Sequence, residues 1–403
     1  MQESIRLEDM PRILFVGGGY SDIPLIKAAR ETGYYVITTG NDPKGLGHQY
    51  ADEYCPADYA DPDDVLRVAI AKQVDAIFSG CNDFAAVSSA YVAEKLHLPG
   101  HDSYETSKLL HHKDRLRDFL AYNSLPSPTA VSYTSTTQAL SEQSRFTFPV
   151  MVKPVDLTGG KGISLVRSSD GFYNALQKAF LLSKAKRVVV EEYVEGSRHG
   201  FSGLLCGGKL AFHFVDNEHY YLNPYMVSAA SYPSRVPEYS VETLVEAAET
   251  IADLLNLVDG IFHVQFILSS EGIKIIEICR RPPGDLYVKL VEHVTFVDYS
   301  NLLLRCSLGL PFYMIETSAW YPKVVRHCVM ADRTGFVRDV YIAPEISRRI
   351  IDSLFWWNQG DIVSDPLTYK AGIVFLDFSD CDDVYEEAEL LKMSVYVQVE
   401  AMD

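Results

Sequence analysis

The sequence predicts an α/β protein. It begins with a doubly wound parallel-sheet domain, followed by mixed α+β sections and a small α+β unit at the C-terminal end. Three observations carry this reading. Up to about Pro99-Gly100, short continuous apolar runs alternate with helical stretches, the βαβαβα pattern of a parallel sheet covered on both faces. From His101 the pattern changes to a long amphipathic stretch and then to strands around a glycine cluster. From about Leu310, short β-like runs dominate. A chain of 403 residues is long for one core, so two to four structural units are expected.

In chain order, "RILFVGGGYSDIPLIKAARETGYYVITTG" reads as strand, glycine turn, helix and second strand, with Asp22 as a candidate helix N-cap. "DDVLRVAIAKQV" is helical, "DAIFSG" a strand and "DFAAVSSAYVAEKL" a helix. "SYETSKLLHHKDRLRDFLAYNSL" is one long amphipathic helix or a helix pair, ended by the breaker "PSPT". "FPVMVKPV" and "GISLV" are strands around "DLTGGK", followed by a helix through "GFYNALQKAFLLS" and the strand "RVVVEEYV". "HGFSGLLCGGKLAFHFV" alternates like a hairpin turning at Gly-Gly, and "VETLVEAAETIADLLNL" is an amphipathic helix. "GIFHVQFILSSEGIKIIEICRRPPGD" is two strands joined by Ser-Ser-Glu-Gly, and "PKVVRHCVM", "VRDVYIA", "AGIVFLDF" and "SVYVQVE" are the later β-like runs.

Composition excludes several function classes. A formal net charge of −18 argues against a nucleic-acid partner and means that a nucleotide site must gather its own cations. No run approaches 18 apolar residues, and "MQESIRLEDM" lacks an apolar leader core, so no membrane association is expected. Seven scattered cysteines without a C-x-x-C pair fit reduced thiols and a cytoplasmic location.

Four stretches carry candidate chemistry. "VMVKPVDLTGGKGISLV" is either a hairpin with a Gly-Gly turn or a phosphate site, in which glycine amides and Lys153 meet an anion. Lys113 in "HHKDRLRDFL" is either a solvated helical lysine or a second phosphate contact. "VVVEEYVEG" is a strand leaving the core or a hinge meeting an adenine edge, with Glu191 or Glu192 near its amine. In "HVQFILSSEGIKIIEICRRPPGD", two antiparallel strands bring Gln265 near Glu277, each offering an oxygen to a hard cation. Arg280 and Arg281 follow at once, and a guanidinium fork suits phosphate, although a buried Glu–Arg pair is the competing reading. Gly17 to Gly19 supply only the first part of G-x-G-x-x-G, with Asp22 at the third glycine position, so a tight turn is preferred there over a nicotinamide site.

Taken in order, Lys113, "VMVKP", "TGGKGI", "VEEYVEG", "HVQF" and "IIEICRRPPGD" resemble the ATP-grasp superfamily, in particular its L-amino-acid ligases and biotin-carboxylase-like enzymes. The resemblance implies a pre-ATP-grasp domain over 1–100, an ATP-grasp part with the lid and glycine loop over 101–195, a catalytic core over 196–310 and a C-terminal α+β domain over 311–403. By position, Lys113 and Lys153 resemble the phosphate-contacting lysines, and Thr158, Gly159, Gly160, Lys161 and Gly162 the loop that closes over the triphosphate. Glu191, Glu192, Tyr193 and Val194 resemble the adenine hinge, with His199 in place of the usual ribose-binding glutamate. Gln265 and Glu277 resemble ligands of Mg²⁺ (or Mn²⁺). Arg281 resembles the arginine that steadies an acyl phosphate, and Arg280, Gly284, Asp285 and His219 complete the implied substrate groups. Cys279 stands where the family usually has a metal-binding asparagine, and a thiol is a poor partner for Mg²⁺.

The implied activity is ATP-dependent ligation of a carboxylate, an amino acid or small acid, to an amine through an acyl phosphate, with release of ADP and phosphate. The alternatives are a biotin-carboxylase-like or glycinamide-ribonucleotide-type enzyme, or a non-catalytic nucleotide-binding protein, which Cys279 would suit. No biotinyl Met-Lys-Met motif is present. The implied partners are small-molecule substrates, and relatives are often homodimers.

Overall fold

The computed structural model describes residues 10–312 and 321–401. The "MQESIRLEDM" stretch, apart from Met10, lies outside them, as do 313–320 and 402–403 of the expected C-terminal unit. Among the described residues, no helix is long and apolar enough to cross a membrane.

The first sheet has four strands: β1 (Arg12–Val16), β2 (Tyr35–Gly40), β3 (Glu53–Pro56) and β4 (Ala76–Ser79), in the spatial order β3-β2-β1-β4. All its pairings are parallel. Ile13, Leu14, Phe15 and Val16 are fully buried, as a central strand covered on both faces requires. The predicted capping of the first helix by Asp22 does not form. Its carboxylate instead accepts from the amides of Gly18 (2.8 Å), Gly19 (2.9 Å) and Cys81 (2.8 Å). The anion hole of this glycine turn is thus filled from within the protein, which removes the structural basis for a dinucleotide there.

The amphipathic stretch after His101 is a helix pair, Tyr104–His111 and Lys113–Tyr122, broken at His112 with extended backbone (φ −82°, ψ 114°). Lys113 therefore opens a helix. The second sheet consists of β5 (Ala130–Tyr133), β6 (Val150–Pro154), β7 (Ser164–Val166) and β8 (Val188–Glu192), in the order β5-β8-β6-β7. β6 and β7 pair antiparallel through the glycine loop, so the hairpin reading of that stretch is correct as geometry. Helix Ser169–Leu182 covers this small sheet with Phe172, Leu176 and Ala179.

The remaining strands are β9 (Ser197–Cys206), β10 (Lys209–His219), β11 (Ala229–Tyr232), β12 (Gly260–Ser269), β13 (Gly272–Cys279), β14 (Val324–Met330), β15 (Gly335–Ile342), β16 (Ile350–Phe355), β17 (Ile362–Val363), β18 (Lys370–Asp377) and β19 (Val395–Glu400). Eight of them form one sheet, β13-β12-β9-β10-β11-β14-β18-β16. The boundary placed at 310 therefore crosses a sheet: β14, β16 and β18 of the C-terminal region extend the central one, while β17, β15 and β19 form a separate three-stranded sheet. Gly207 and Gly208 (φ +59° and +76°) make the β9–β10 turn, a conformation favoured by glycine. Helix Glu238–Leu255 packs Leu244, Ala248 and Ile251 onto one face of the large sheet. The other face carries helices Tyr287–Thr295 and Tyr299–Ser307, whose core is continuous with Ile13, Phe15 and Phe78 of the first sheet.

Candidate active site

One cavity of about 590 Å³ lies between the small β5–β8 sheet and the large sheet. Strand alternation decides which predicted residues reach it, because successive side chains point to opposite faces. On β13 and its continuation, Glu277, Cys279 and Arg281 line the cavity. Arg280 has the opposite parity: its Nε donates to Asp102 Oδ2 at 2.7 Å and its Nη atoms donate to the carbonyls of Ile261 and Val258. Arg280 is thus a buried structural ion pair rather than a substrate contact.

On β10 the same parity brings Asp216, Glu218 and Tyr220 into the lining and turns Asn217 and His219 away. His219 instead bonds Glu389 Oε1 (2.6 Å) and Ser231 Oγ (2.9 Å) and is 1% exposed, so its expected substrate role is not supported. His199, paired with Asn217 across β9–β10, stacks on Phe266, bonds Ser197 Oγ at 2.7 Å and also lies outside the lining. Burial pushes His199 down to about 4, and the uncharged ring belongs to the packing rather than to a ribose contact.

At one end of the cavity, Lys113, Lys153, Thr158, Gly159 and Gly160 line the wall. Met151, Ile163, Leu165, Val194 and Phe266 supply an apolar slot beside them, flanked by Glu192 and Tyr193. Gly159, Gly160 and Gly162 have φ of +63°, +73° and +76°, which only glycine adopts readily. Lys161 is exposed, and neither it nor Gly162 is in the lining; Gly162 packs against Pro154 and Leu182. Lys113 Nζ donates to the Leu157 carbonyl (2.6 Å), at the root of the loop.

Glu191 was expected at the hinge edge. It lines the cavity, and its buried carboxylate lies 2.5 Å from Lys153 Nζ and 3.0 Å from Arg117 Nε. Burial would raise Glu191, but Arg117 and Lys153 outweigh it and hold the carboxyl down at about 2. Arg117 also donates to the Ile276 carbonyl at 2.7 Å, tying this ionic group to β13. The pairing fixes Lys153 in place while Lys153 still lines the cavity.

In the middle, Gln265 and Glu277 are direct partners across β12–β13, beside a bulge. Gln265 Nε2 donates to Glu218 Oε1 at 2.7 Å, which commits the amide nitrogen and leaves the oxygen as a ligand atom. Asp83, Glu277 and Cys279 each offer a donor atom within 4.8 Å of the others. Asp83, however, is bound by Arg281 (2.6 Å) and is not free. Burial raises the Cys279 thiol well above its ordinary range, so it stays protonated, with Sγ 3.4 Å from Asp83 Oδ1. The oxygen donors Gln265 and Glu277 fit a hard divalent cation; Cys279 does not.

Three groups that sequence reasoning missed complete the inner end. Burial, followed by the charge of Glu218, pushes Asp216 up to about 7, and Tyr287 donates to its Oδ1 at 2.6 Å. Burial raises Glu218 as well, while Tyr220 donates to its Oε2 at 2.5 Å. Arg326 on β14 donates to the Asp285 carbonyl at 3.0 Å. Asp285 itself takes Tyr20 and Lys370 (2.6 Å each) and lies in the lining with Gly284. The alternation of "VDNEHYY" was the available signal: D-x-E-x-Y on a strand puts three polar groups on one face.

Residues 111–285 match the family model described as an ATP-grasp domain. The match places an ATP-grasp domain over these residues, which include Lys113, Lys153, the glycine loop, Gln265, Glu277 and Arg281. Among solved structures, it is similar to an L-amino acid ligase from Bacillus licheniformis (TM-score 0.80, 16% identity, covering 97% of this chain and 99% of that one). It is also similar to a phosphoribosylglycinamide synthetase from Anaerococcus prevotii (TM-score 0.77, 18% identity, 97% and 100% covered). A third similar structure is the biotin carboxylase domain dimer of Hydrogenobacter thermophilus 2-oxoglutarate carboxylase with MgADP and bicarbonate (TM-score 0.75, 17% identity, 97% and 91% covered). At these identities the structures share the fold.

Proposed function

We propose that this protein joins a small carboxylate to an amine at the expense of ATP, through an acyl phosphate. The observation that carries the reading is that Lys113, Lys153, the glycine loop, the Gln265–Glu277 pair and Arg281 line one continuous cavity. Lys153 and Lys113 supply fixed positive charge for the phosphates, which a protein of net charge −18 must provide locally. The loop amides at Gly159 and Gly160 can close over the same region and exclude water that would hydrolyse an activated acid. Gln265 and Glu277 would hold Mg²⁺ (or Mn²⁺), which neutralises the triphosphate and orients its terminal phosphate. Arg281, oriented by Asp83, places a buried guanidinium where the acyl phosphate forms. Phosphoryl transfer rests on positioning and charge neutralisation, and these residue types supply both.

A homodimer in the cytoplasm belongs to the same reading, supported by the dimeric carboxylase domain among the similar structures and by seven free cysteines. The decisive experiment is ADP release from Mg²⁺-ATP with acids and amines offered singly and in pairs, with product masses measured. ADP release that requires a pair, with a product at their summed mass less water, is the expected result. Release with bicarbonate alone would move the protein to carboxyphosphate chemistry. Tight ADP binding without release for any acid would make it a nucleotide-binding protein.

A further inference from the structure

Two buried ionisable groups, one acidic and one basic, at the inner end of the cavity each keep one atom without a partner: Asp216 Oδ2 and Arg326 Nε. Their residues are 1% and 2% exposed, and both line the cavity. Each is anchored elsewhere, Asp216 through the Tyr287 hydroxyl at 2.6 Å and Arg326 through Nη1, which donates to the Asp285 carbonyl at 3.0 Å and lies 3.6 Å from the Asp285 carboxylate. An unpartnered buried polar atom is costly, so a ligand that satisfies both is favoured.

The sheet register places these groups for a single ligand. Ala230 on β11 is the pairing partner of Glu218 on one side and of Arg326 on the other. Glu218, Ala230 and Arg326 therefore lie in a row, about 10 Å from end to end at the ordinary strand spacing. Asp216 is two residues before Glu218, on the same face. The small Ala230 side chain leaves the space between the charges open. On the neighbouring strand, a Cβ at Gly200 would lie 2.6 Å from Asp216 Oδ1, so glycine there makes room for the carboxylate.

We propose that this inner end is an amino-acid subsite, in which Asp216, backed by Glu218, receives an α-ammonium group and Arg326 receives the carboxylate of the same molecule. The proposal deepens the ligase reading and rests on it for the reaction, but not for the binding. A plain carboxylic acid would leave Asp216 Oδ2 without a donor, and a plain amine would leave Arg326 Nε without an acceptor. Neutral polar ligands would satisfy neither. Asp216 and Arg326 are thereby specificity-determining residues for a zwitterion.

The test is equilibrium binding to the full chain in the presence of Mg²⁺-ADP. The probes are the common L-amino acids, each beside its N-acetyl and its carboxamide derivative. At least one free amino acid is expected to bind, with both derivatives at least tenfold weaker. Asp216→Asn keeps the shape and the Tyr287 contact, and is expected to weaken that amino acid at least tenfold while ADP affinity stays within twofold. Should Asp216→Asn fail to fold, Tyr287→Phe releases the Asp216 anchor and is expected to weaken the amino acid several-fold. The proposal is overturned if no free amino acid binds, if an N-acetyl form binds as well as its parent, or if both variants bind unchanged. Because binding is read without turnover, absence of ADP release would count against the ligase reading and leave this result standing.

Discussion

Lys153 shows how one side chain serves both the fold and the site. It is 6% exposed, and burial pulls its pKa down against the raising effect of Glu191. Breaking a buried pair typically costs about 3–5 kcal/mol, because the surviving charge is stranded. Here Arg117 remains beside Glu191, so Lys153→Met is expected at the lower end of that range, measured as a urea midpoint shift. The same variant should weaken ADP binding at least tenfold, as titration calorimetry would show; unchanged ADP affinity would remove Lys153 from the phosphate site. His199→Asn, outside the lining, should leave ADP affinity unaltered. Cys279 makes a separate case. A buried neutral thiol beside Glu277 contributes little to a hard cation, whereas an amide oxygen is a good ligand. Cys279→Asn is therefore expected to lower the Mg²⁺ concentration for half-maximal ADP formation several-fold, and an unchanged Mg²⁺ curve would show that position 279 does not reach the metal.

At the scale of elements, the glycine loop and the β10–β11 connection meet across the mouth of the cavity. A Cβ at Gly160 would lie 2.5 Å from Tyr225 Cβ, and φ there is +73°. At Gly159 no atom lies within 4 Å of the added Cβ, although φ is +63°. Gly159→Ala should thus cost only backbone strain, about 1 kcal/mol, felt in loop closure. Gly160→Ala adds a steric block to closure. A fall in kcat at least tenfold larger for Gly160→Ala than for Gly159→Ala, with similar ADP affinity, is expected; equal effects would mean that the Tyr225 contact is not part of closure. This element-level picture also shows what was legible in the chain. Lys113, Lys153, Gln265 and Glu277 could be found because their motifs are local and keep a fixed order. The β6–β7 hairpin is present, and Lys153, Gly159 and Gly160 of the same stretch line the cavity, so the two readings do not exclude one another. Asp216, Glu218 and Arg326 were not found, since Arg326 lies on β14 and reaches Glu218 only through the intervening β11. Arg280, His199 and His219 were misplaced by a one-residue error of face, which a strict period-2 reading of their strands would have corrected.

For the molecule as a whole, acid stability separates into two windows with different owners. Glu191 and Asp285 are held down at about 2 by their cationic partners, against burial. Their contribution is complete above the ordinary carboxylate range and is lost only as pH falls toward 2. Between about pH 6.5 and 4 the buried histidines decide. His327, on the strand that joins the C-terminal region to the central sheet, donates through Nε2 to the Val395 carbonyl at 2.8 Å and has Nδ1 3.0 Å from the Tyr221 hydroxyl, which itself donates to the Ala388 carbonyl. Burial, with the Arg326 charge beside it and against the Val395 bond, pulls His327 down to about 4. Its folded pKa lies below its unfolded one, so the unfolded chain takes up the proton first and stability falls as pH drops through 6.5. At pH 5 the loss amounts to about 2 kcal/mol for this one residue. His263, pulled down to about 3 by burial and Arg281, adds a loss of the same sign. Asp216, pushed up to about 7, acts in the opposite sense because the folded chain takes up its proton first, so the informative quantity is the change in urea stability between pH 8 and pH 5 in parent and variant. In His327→Gln, which is less stable at pH 8, that change should move by about 2 kcal/mol toward greater acid stability, because the group responsible no longer titrates. An unchanged pH response in the variant would show that His327 does not titrate in this window.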